Sequence, residues 1–207
     1  MIILDLNQVL FSNMHMMKEL EEDLFRHMAL NTIRNINSKF RNEYGELVIA
    51  CDSYKYWRRD YFPYYKAHRK RDREQSNIDW ETVFDYFKKI KTELRENFPY
   101  KFIEVENAEA DDVIATLVQK IQDKKFLIVS SDKDFQQLQY LPNVDQWDPM
   151  QNKFVKCSDP LEYLMDHIFT GDRGDGIPNI LSADETFVEG LRQKPYYAEP
   201  KHETFAA

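Results

Sequence analysis

The sequence has few of the features that mark secreted, membrane-spanning or repetitive proteins. It holds only two cysteines in 207 residues, Cys51 and Cys157, which lie far apart, so a disulfide framework is not indicated. No apolar run approaches the roughly 20 residues that a membrane-spanning helix needs. The opening residues, MIILDLN, read as a strand without a basic leader. We therefore expect a cytoplasmic protein with no membrane partner.

Several catalytic motifs are missing as well. No GxxxxGK[ST] motif occurs, so a P-loop NTPase is not supported. Asp5 is followed by Leu6-Asn7 and lacks the second aspartate of a haloacid-dehalogenase-type phosphatase. An EF-hand loop aligned on Gly176 would place Gly171 and Ser182 where its ligands must stand, and neither offers a carboxylate. These three classes are set aside.

Charge is distributed unevenly along the chain. The net charge of −8 at first argues against a nucleic-acid partner. Residues 54–73, however, hold eight Lys or Arg against two Asp, a net of +6, which leaves 20 basic and 34 acidic residues, a net of −14, elsewhere. This pattern indicates a phosphate-binding segment beside a region that needs carboxylates. A solvated basic loop is the alternative.

Four short apolar runs are the strand candidates: residues 2–6, 47–51, 102–105 and 126–130. Their continuous apolar character is typical of a parallel sheet that is covered on both faces. Helical patterns lie between them, so the alternation predicts an α/β domain with a mostly parallel central sheet. The apolar faces expected on three of these helices are Leu20, Leu24 and Met28; Val83, Phe84, Phe87, Ile90 and Leu94; and Val113, Ile114, Leu117, Val118 and Ile121.

The last third of the chain predicts smaller elements. Residues 144–147 and 153–155 read as a hairpin, and residues 161–169 as a short helix that Asp159-Pro160 opens. From Leu181 onward the pattern is irregular or partly disordered.

Carboxylates follow the strand candidates at the point where each strand ends. Asp5 lies in the first run, Asp52 follows the second, and acids also follow the third and fourth. The carboxyl ends of parallel strands share one edge of a sheet, so these side chains are expected to converge there. Each acid taken singly could instead be a helix cap. The full set is Asp5, Asp52, Glu109, Asp111, Asp112, Asp132 and Asp134.

Seven converging carboxylates would repel one another unless cations were bound. Oxygen ligands without a His or Cys cluster in the sequence point to Mg²⁺ or Mn²⁺ rather than zinc. Two such ions roughly 4 Å apart would form a phosphoryl-transfer site.

A glycine-rich turn and a basic aromatic stretch complete the pattern. In residues 171–179, GDRGDGIPN, Gly174 and Gly176 would let backbone N–H groups approach phosphate, and Asp172 and Asp175 could add metal ligands. An ordinary turn is the alternative. The basic stretch offers cations for phosphates and rings for bases. Its candidate contacts are Arg58, Arg59, Tyr65, Lys66, Arg69, Lys70, Arg71 and Arg73.

Taken together, these motifs resemble the flap endonuclease family of 5′-nucleases, and within it the phage RNase H branch. The similarity runs from residue 2 to about residue 180. It is carried in order by ILDLN, ACDS, YFPYYKAHR, AEADD, SSDKDFQQL and GDRGDGIPN.

The resemblance implies a PIN-like 5′-nuclease fold with a helical arch at about residues 54–78. A catalytic domain over residues 1–158 would be followed by a partial helix–turn–helix element over 159–207. Lys66 and Arg69 at the arch base, with Asp111 and Asp132, would be catalytic. The metal ligands would be Asp5, Asp52, Glu109, Asp111, Asp112, Asp132, Asp134, Asp172 and Asp175.

The implied activity is 5′→3′ exonuclease and flap endonuclease action on RNA–DNA and DNA–DNA substrates, with removal of RNA primers as its role. A sliding clamp and a single-strand DNA-binding protein would be partners of a monomeric enzyme in the bacterial host cytoplasm. The chain departs from the family in its C-terminal helical part, since 27 residues follow Ile180. We therefore expect a truncated helical part, weaker duplex affinity and an intact metal site. A PIN-like ribonuclease and a non-catalytic nucleic-acid-binding module are the alternatives.

Overall fold

The computed structural model describes residues 1–196 and contains one six-stranded sheet. The strands are β1 (Ile2–Asp5), β2 (Leu47–Cys51), β3 (Lys101–Glu104), β4 (Phe126–Val129), β5 (Val144–Asp148) and β6 (Lys153–Val155). Their order in the sheet is β3-β2-β1-β4-β5-β6; the first five strands pair in parallel, and β6 pairs antiparallel to β5. The mostly parallel α/β sheet is therefore confirmed.

Helices cover both faces of the sheet, so its alternating side chains enter two cores. The helices are α1 (Leu6–His15), α2 (Glu22–Tyr44), α3 (Arg58–Tyr61), α4 (His68–Glu74), α5 (Trp80–Asn97), α6 (Ala110–Lys120), the 3₁₀ helix (Lys133–Tyr140) and α7 (Pro160–Thr170). Ile2 and Leu4 pack in one core with residues of α1, α2 and α5, and Ile3 packs in the other with residues of α6 and the 3₁₀ helix.

The predicted strands lie within one residue of the observed ones, but the third is less buried than predicted. β3 is an edge strand whose end residues are exposed, and Val105, included in the predicted run, lies outside it and is 48% exposed. An apolar run therefore located this strand without revealing that it has a single neighbour.

The predicted apolar face of α2 is wrong. Leu20 precedes the helix, and Leu24 is 44% exposed. A shift of one residue turns a helical side chain by about 100°, and the neighbouring positions carry an equally apolar set. Phe84 on α5 is misassigned in the same way and is 43% exposed. The buried face of α2 comprises Phe25, Ala29, Ile33, Ile36 and Phe40.

This corrected face predicts unequal effects of two adjacent substitutions. Phe25→Ala should lower the free energy of unfolding by about 3–5 kcal/mol, because Phe25 is fully buried and its ring stacks on Phe87 at 5.6 Å. Leu24→Ala, the matched control, should cost less than about 1 kcal/mol. Urea denaturation of both variants measures the difference, and equal losses would contradict the assignment.

The C-terminal elements agree with the predictions where the structure describes them. The hairpin forms, and α7 begins at Pro160 with the Asp159 side chain accepting from Glu162 N at 2.9 Å. Residues 181–196 contain turns but no helix or strand, and Phe187 in this segment is buried. The predicted irregular tail beyond residue 196 lies outside the described residues. Within residues 1–196, no helix is both long and apolar enough to cross a membrane.

Candidate metal centre

Four acids meet at the carboxyl-end edge of the sheet. Asp5 ends β1, Asp52 follows β2, Asp111 lies in the first turn of α6, and Asp132 caps the 3₁₀ helix that follows β4. Because β1 lies between β2 and β4, Asp5 stands between the strand ends that lead into Asp52 and Asp132. The structure thus brings together carboxylates that are up to 127 positions apart in the sequence (5 to 132).

Burial and mutual repulsion disfavour the charged form of two of these acids. Burial raises the pKa of Asp5 to about 7, and the charges of Asp52 and Asp132 add to the rise. Burial likewise raises the pKa of Asp111 to about 8, with repulsion from Asp5, Asp132 and Asp52 opposed by Lys66. Without a cation, the cluster therefore holds protons near neutral pH.

Hydrogen bonds fix two of the carboxylates and leave nearby acceptors free for a hydrated ion. Asp52 accepts from Ala110 N at 2.7 Å and from Asn7 Nδ2 at 2.5 Å. Asp5 accepts from Gln8 N at 3.2 Å. The side-chain oxygens Oδ1 of Asn7 and Oε1 of Gln8 are buried without a partner. Acceptors of this kind suit metal-bound water, so the residues present fit a hydrated hard cation.

The metal-free protein should lose stability as pH rises. The pKa values of Asp5, Asp111 and Asp134 are about 7, 8 and 6 in the fold, all above the unfolded value of 3.8. The folded state therefore binds more protons, so the free energy of unfolding should fall by on the order of 2–4 kcal/mol between pH 5 and pH 9. Calorimetry in EDTA measures this slope, which saturating Mg²⁺ should abolish between pH 6 and pH 8. A melting temperature that rises with pH in EDTA would contradict it.

A second cluster joins the 3₁₀ helix, α7 and the glycine turn. Asp134, His167 and Asp172 each offer one ligand atom, and these atoms lie within 4.8 Å of one another. His167 was missed by the sequence analysis because it lies far along the chain from Asp134. Its position five residues before Asp172, on the helix that leads into the glycine turn, was the available signal.

Glu109 and Asp112 bind side chains of the predicted arch, residues 54–78. The arch base is the name used below for the residues that contact these acids, which are Arg58, Tyr65 and Lys66, together with the neighbouring Arg69. Glu109 is 1% exposed and accepts from Lys66 Nζ at 2.6 Å, Tyr65 Oη at 2.8 Å and Arg58 at 3.1 Å. Asp112 accepts from Arg58 at 2.8 Å. The charges of both acids are therefore offset by arch cations, unlike those of the central cluster.

Three predicted nucleic-acid contacts need correction, beginning with Tyr65. Its side chain is 3% exposed, and its hydroxyl lies 2.8 Å from carboxylates of both Glu109 and Asp175. A buried ring cannot stack on a base, so Tyr65 positions the arch base instead.

Gly176 is the second predicted contact that the structure contradicts. Its N–H donates to Arg173 O, its φ is +77°, and a Cβ there would lie 2.8 Å from His68 Nδ1. The residue is glycine because the arch packs against it, and its N–H is not free for phosphate. The Gly174 carbonyl accepts from Arg69 at 3.0 Å. The contact of its N–H with phosphate stays a prediction.

Arg71 is the third predicted contact that the structure contradicts. Its guanidinium donates to the carbonyls of Val188 at 2.8 Å and Phe187 at 3.2 Å, which ties the segment after the glycine turn to α4. Among the other predicted contacts, Arg59 and Lys70 are exposed, and Arg73 is half-buried beside Phe84. The free positive surface is thus smaller than the sequence suggested.

A cavity of about 640 Å³ lies between the arch on one side and α6, the 3₁₀ helix and the glycine turn on the other. Aromatic side chains of Trp57 and Tyr61 line it on the arch side, and Asp111, Asp134 and His167 line it on the other. The Trp57 and Tyr61 rings meet edge to face at 5.6 Å. The cavity can therefore hold a ligand that contacts rings and carboxylates together.

Comparisons with known proteins agree with this architecture. The model of the 5′-3′ exonuclease N-terminal resolvase-like domain matches residues 1–164. The chain is 36% identical over 204 residues to Ribonuclease H of Enterobacteria phage T4, an alignment that covers 92% of this chain and 67% of that protein. It is 31% identical over 134 residues to Flap endonuclease Xni of Shewanella sp. (strain MR-4), covering 60% of this chain and 48% of that protein.

Solved structures show the same fold. A phage T5 protein co-crystallised with metal ions matches with a TM-score of 0.72 at 17% identity, over 91% of this chain and 74% of that one. A phage T5 flap endonuclease in a complex with DNA and metal ions matches with a TM-score of 0.71 at 18% identity, over 86% and 69%. The chain thus spans about two thirds of the phage relatives and about half of the Shewanella protein.

Proposed function

The chain belongs to the 5′-3′ exonuclease family, and on that premise we propose that it is a two-metal-ion 5′-nuclease. It would hydrolyse phosphodiester bonds at the 5′ ends and flaps of RNA–DNA and DNA–DNA substrates. The observation that carries this proposal is the meeting of Asp5, Asp52, Asp111 and Asp132 at one sheet edge, with pKa values of two of them raised by burial and repulsion. Such an arrangement is costly without cations and suits phosphoryl-transfer chemistry with them.

The acids would hold Mg²⁺ or Mn²⁺ in two groups. Asp5, Asp52, Asp111 and Asp132 form the central group, and Asp134, Asp172 and Asp175 lie toward the glycine turn. Bound ions would lower the pKa of the attacking water and offset charge on the phosphate. Asn7 and Gln8, with free buried acceptors, would orient water at the central group. Glu109 and Asp112 would act indirectly, through the arch cations.

The arch base would bind the phosphate. The Lys66 ammonium lies 2.6 Å from Glu109 and 3.3 Å from Asp175, and the Arg69 guanidinium lies 3.0 Å from Asp175. These carboxylates hold both cations beside the acidic edge, where a substrate phosphate could compete for them. Exposed Arg59 and Lys70 would add sequence-independent contacts to the backbone, and Trp57 and Tyr61 would stack on splayed bases.

A cleavage assay tests the proposal. A labelled 5′-flap duplex should be cut with Mg²⁺ or Mn²⁺, left intact with EDTA, and left intact by Asp132→Ala. Asp123→Ala is the matched control, since Asp123 is exposed on the loop after α6 and should keep full activity. Equal cleavage under all conditions would refute the proposal. Cleavage of single-stranded RNA alone would support a PIN-like ribonuclease, and tight binding without turnover a non-catalytic module.

The biological role follows from the substrate class. We propose that the enzyme removes RNA primers during phage DNA replication, with a sliding clamp and a single-strand DNA-binding protein as partners. The relation to Ribonuclease H of phage T4 supports this role.

A further inference from the structure

The Asp134, His167 and Asp172 cluster differs chemically from the central acid cluster, because it contains a nitrogen donor. His167 Nε2 lies 3.2 Å from Asp134 Oδ1 and 3.4 Å from Asp172 Oδ2. Ligand atoms that bind one ion at about 2.1 Å are about 3.0–3.4 Å apart, depending on the angle between the bonds. The imidazole nitrogen is therefore spaced from each carboxylate as two ligands of a single ion would be, and all three ligand atoms lie within 4.8 Å of one another.

The imidazole ring is held in this orientation by its own helix. Tyr163 lies one turn earlier on α7, and its ring is nearly parallel to that of His167, at 11° with centroids 5.8 Å apart. The cluster spans three separate segments, since Asp134 is in the 3₁₀ helix, His167 in α7 and Asp172 in the glycine turn. All three residues also line the cavity beneath the arch, so an ion can reach them.

We propose that His167 is a direct nitrogen ligand of the divalent ion held by Asp134 and Asp172, which makes this site selective for borderline ions such as Mn²⁺ or Co²⁺ over Mg²⁺. The inference rests on the proposed function, which requires divalent ions at this edge. Mg²⁺ strongly prefers oxygen, whereas imidazole suits first-row transition ions. The charge of Asp175 is offset by Lys66 and Arg69, so a neutral imidazole leaves the two carboxylate charges of Asp134 and Asp172, which match one divalent ion. The central group, built from oxygen ligands, would keep its preference for Mg²⁺.

Metal titrations distinguish a ligand from a mere ion-pair partner. In calorimetric titrations with Co²⁺ and with Mg²⁺, His167→Gln should lower Co²⁺ affinity at one site about 10-fold or more and Mg²⁺ affinity less than about 3-fold. If His167 only paired with the two acids, its removal would free them and raise the affinity for both ions alike. His27→Gln is the matched control, because His27 is exposed on α2, away from the site, and should change neither affinity.

A measurement on the unaltered protein guards against a variant that misfolds. Pulsed electron paramagnetic resonance of the Mn²⁺-loaded protein should show coupling to a directly bound ¹⁴N nucleus. Absence of that coupling, or equal changes in Co²⁺ and Mg²⁺ affinity for His167→Gln, would overturn the inference while leaving the nuclease proposal intact. Failure of the protein to bind any divalent ion would refute both the inference about His167 and the nuclease proposal.

Discussion

Replacing Asp111 by Asn is expected to lower the rate of flap cleavage about 10³-fold or more while stabilising the metal-free protein. Asp111 lies in the first turn of α6, and its charge is opposed by burial and by Asp5, Asp132 and Asp52. The amide keeps the shape of the side chain but removes the charge that would bind an ion. Single-turnover kinetics on a 5′-flap substrate measures the loss.

The same substitution should increase the stability of the metal-free protein, although it lowers the rate of cleavage. Because the pKa of Asp111 is raised to about 8, its ionisation destabilises the fold above that pH in the absence of metal. The amide should therefore raise the free energy of unfolding in EDTA at pH 9 by on the order of 1–3 kcal/mol. Added Mg²⁺ should then stabilise the variant less than the parent. Asp123→Asn should change neither quantity, and a variant that cleaves normally would contradict the prediction.

Lys66→Ala is expected to lower cleavage about 10²-fold and to cost about 3–5 kcal/mol of stability. The Lys66 side chain is 10% exposed and pairs with Glu109, which is itself 1% exposed. Removing the ammonium leaves a buried carboxylate with less compensation, the situation in which loss of one partner is most damaging. The cleavage loss follows from the missing cation for the phosphate.

A double variant separates these two effects. Lys66→Met combined with Glu109→Gln removes both charges of the pair, so denaturation should show most of the lost stability restored. Cleavage should stay low, because no cation remains at this position for the phosphate. If stability and cleavage recovered together, Lys66 would serve the fold alone.

The sequence predicted the sheet and the central acids because both follow from local patterns. Short apolar runs located β1, β2 and β4 to within a residue, and parallel strands necessarily end at one edge. From that rule alone, Asp5, Asp52, Asp111 and Asp132 were expected together. The N-cap of α7 at Asp159 was likewise predictable, since Asp is a favoured N-cap residue and Pro is a favoured first residue of a helix.

What the sequence did not predict depends on packing between distant segments. Tyr65 and Arg71 belong to a segment with a strongly basic and aromatic composition, yet the fold uses them as internal hydrogen-bond donors to Glu109 and Val188. Composition describes which groups are available but not which of them face solvent. His167 was missed for the same reason, because only the packing of α7 on the 3₁₀ helix brings it to Asp134.

The central position of β1 has a consequence for how the chain folds. β1 comes before both of its partners in the chain, and Ile2 pairs in register with Leu47 of β2 and Leu127 of β4, which lie 45 and 125 residues later. Contacts of such long sequence separation slow folding, because a large loop must close before they form. During synthesis, one side of β1 therefore stays unpaired until β4 has left the ribosome. The edge that carries Asp5, Asp52, Asp111 and Asp132 can assemble only after that.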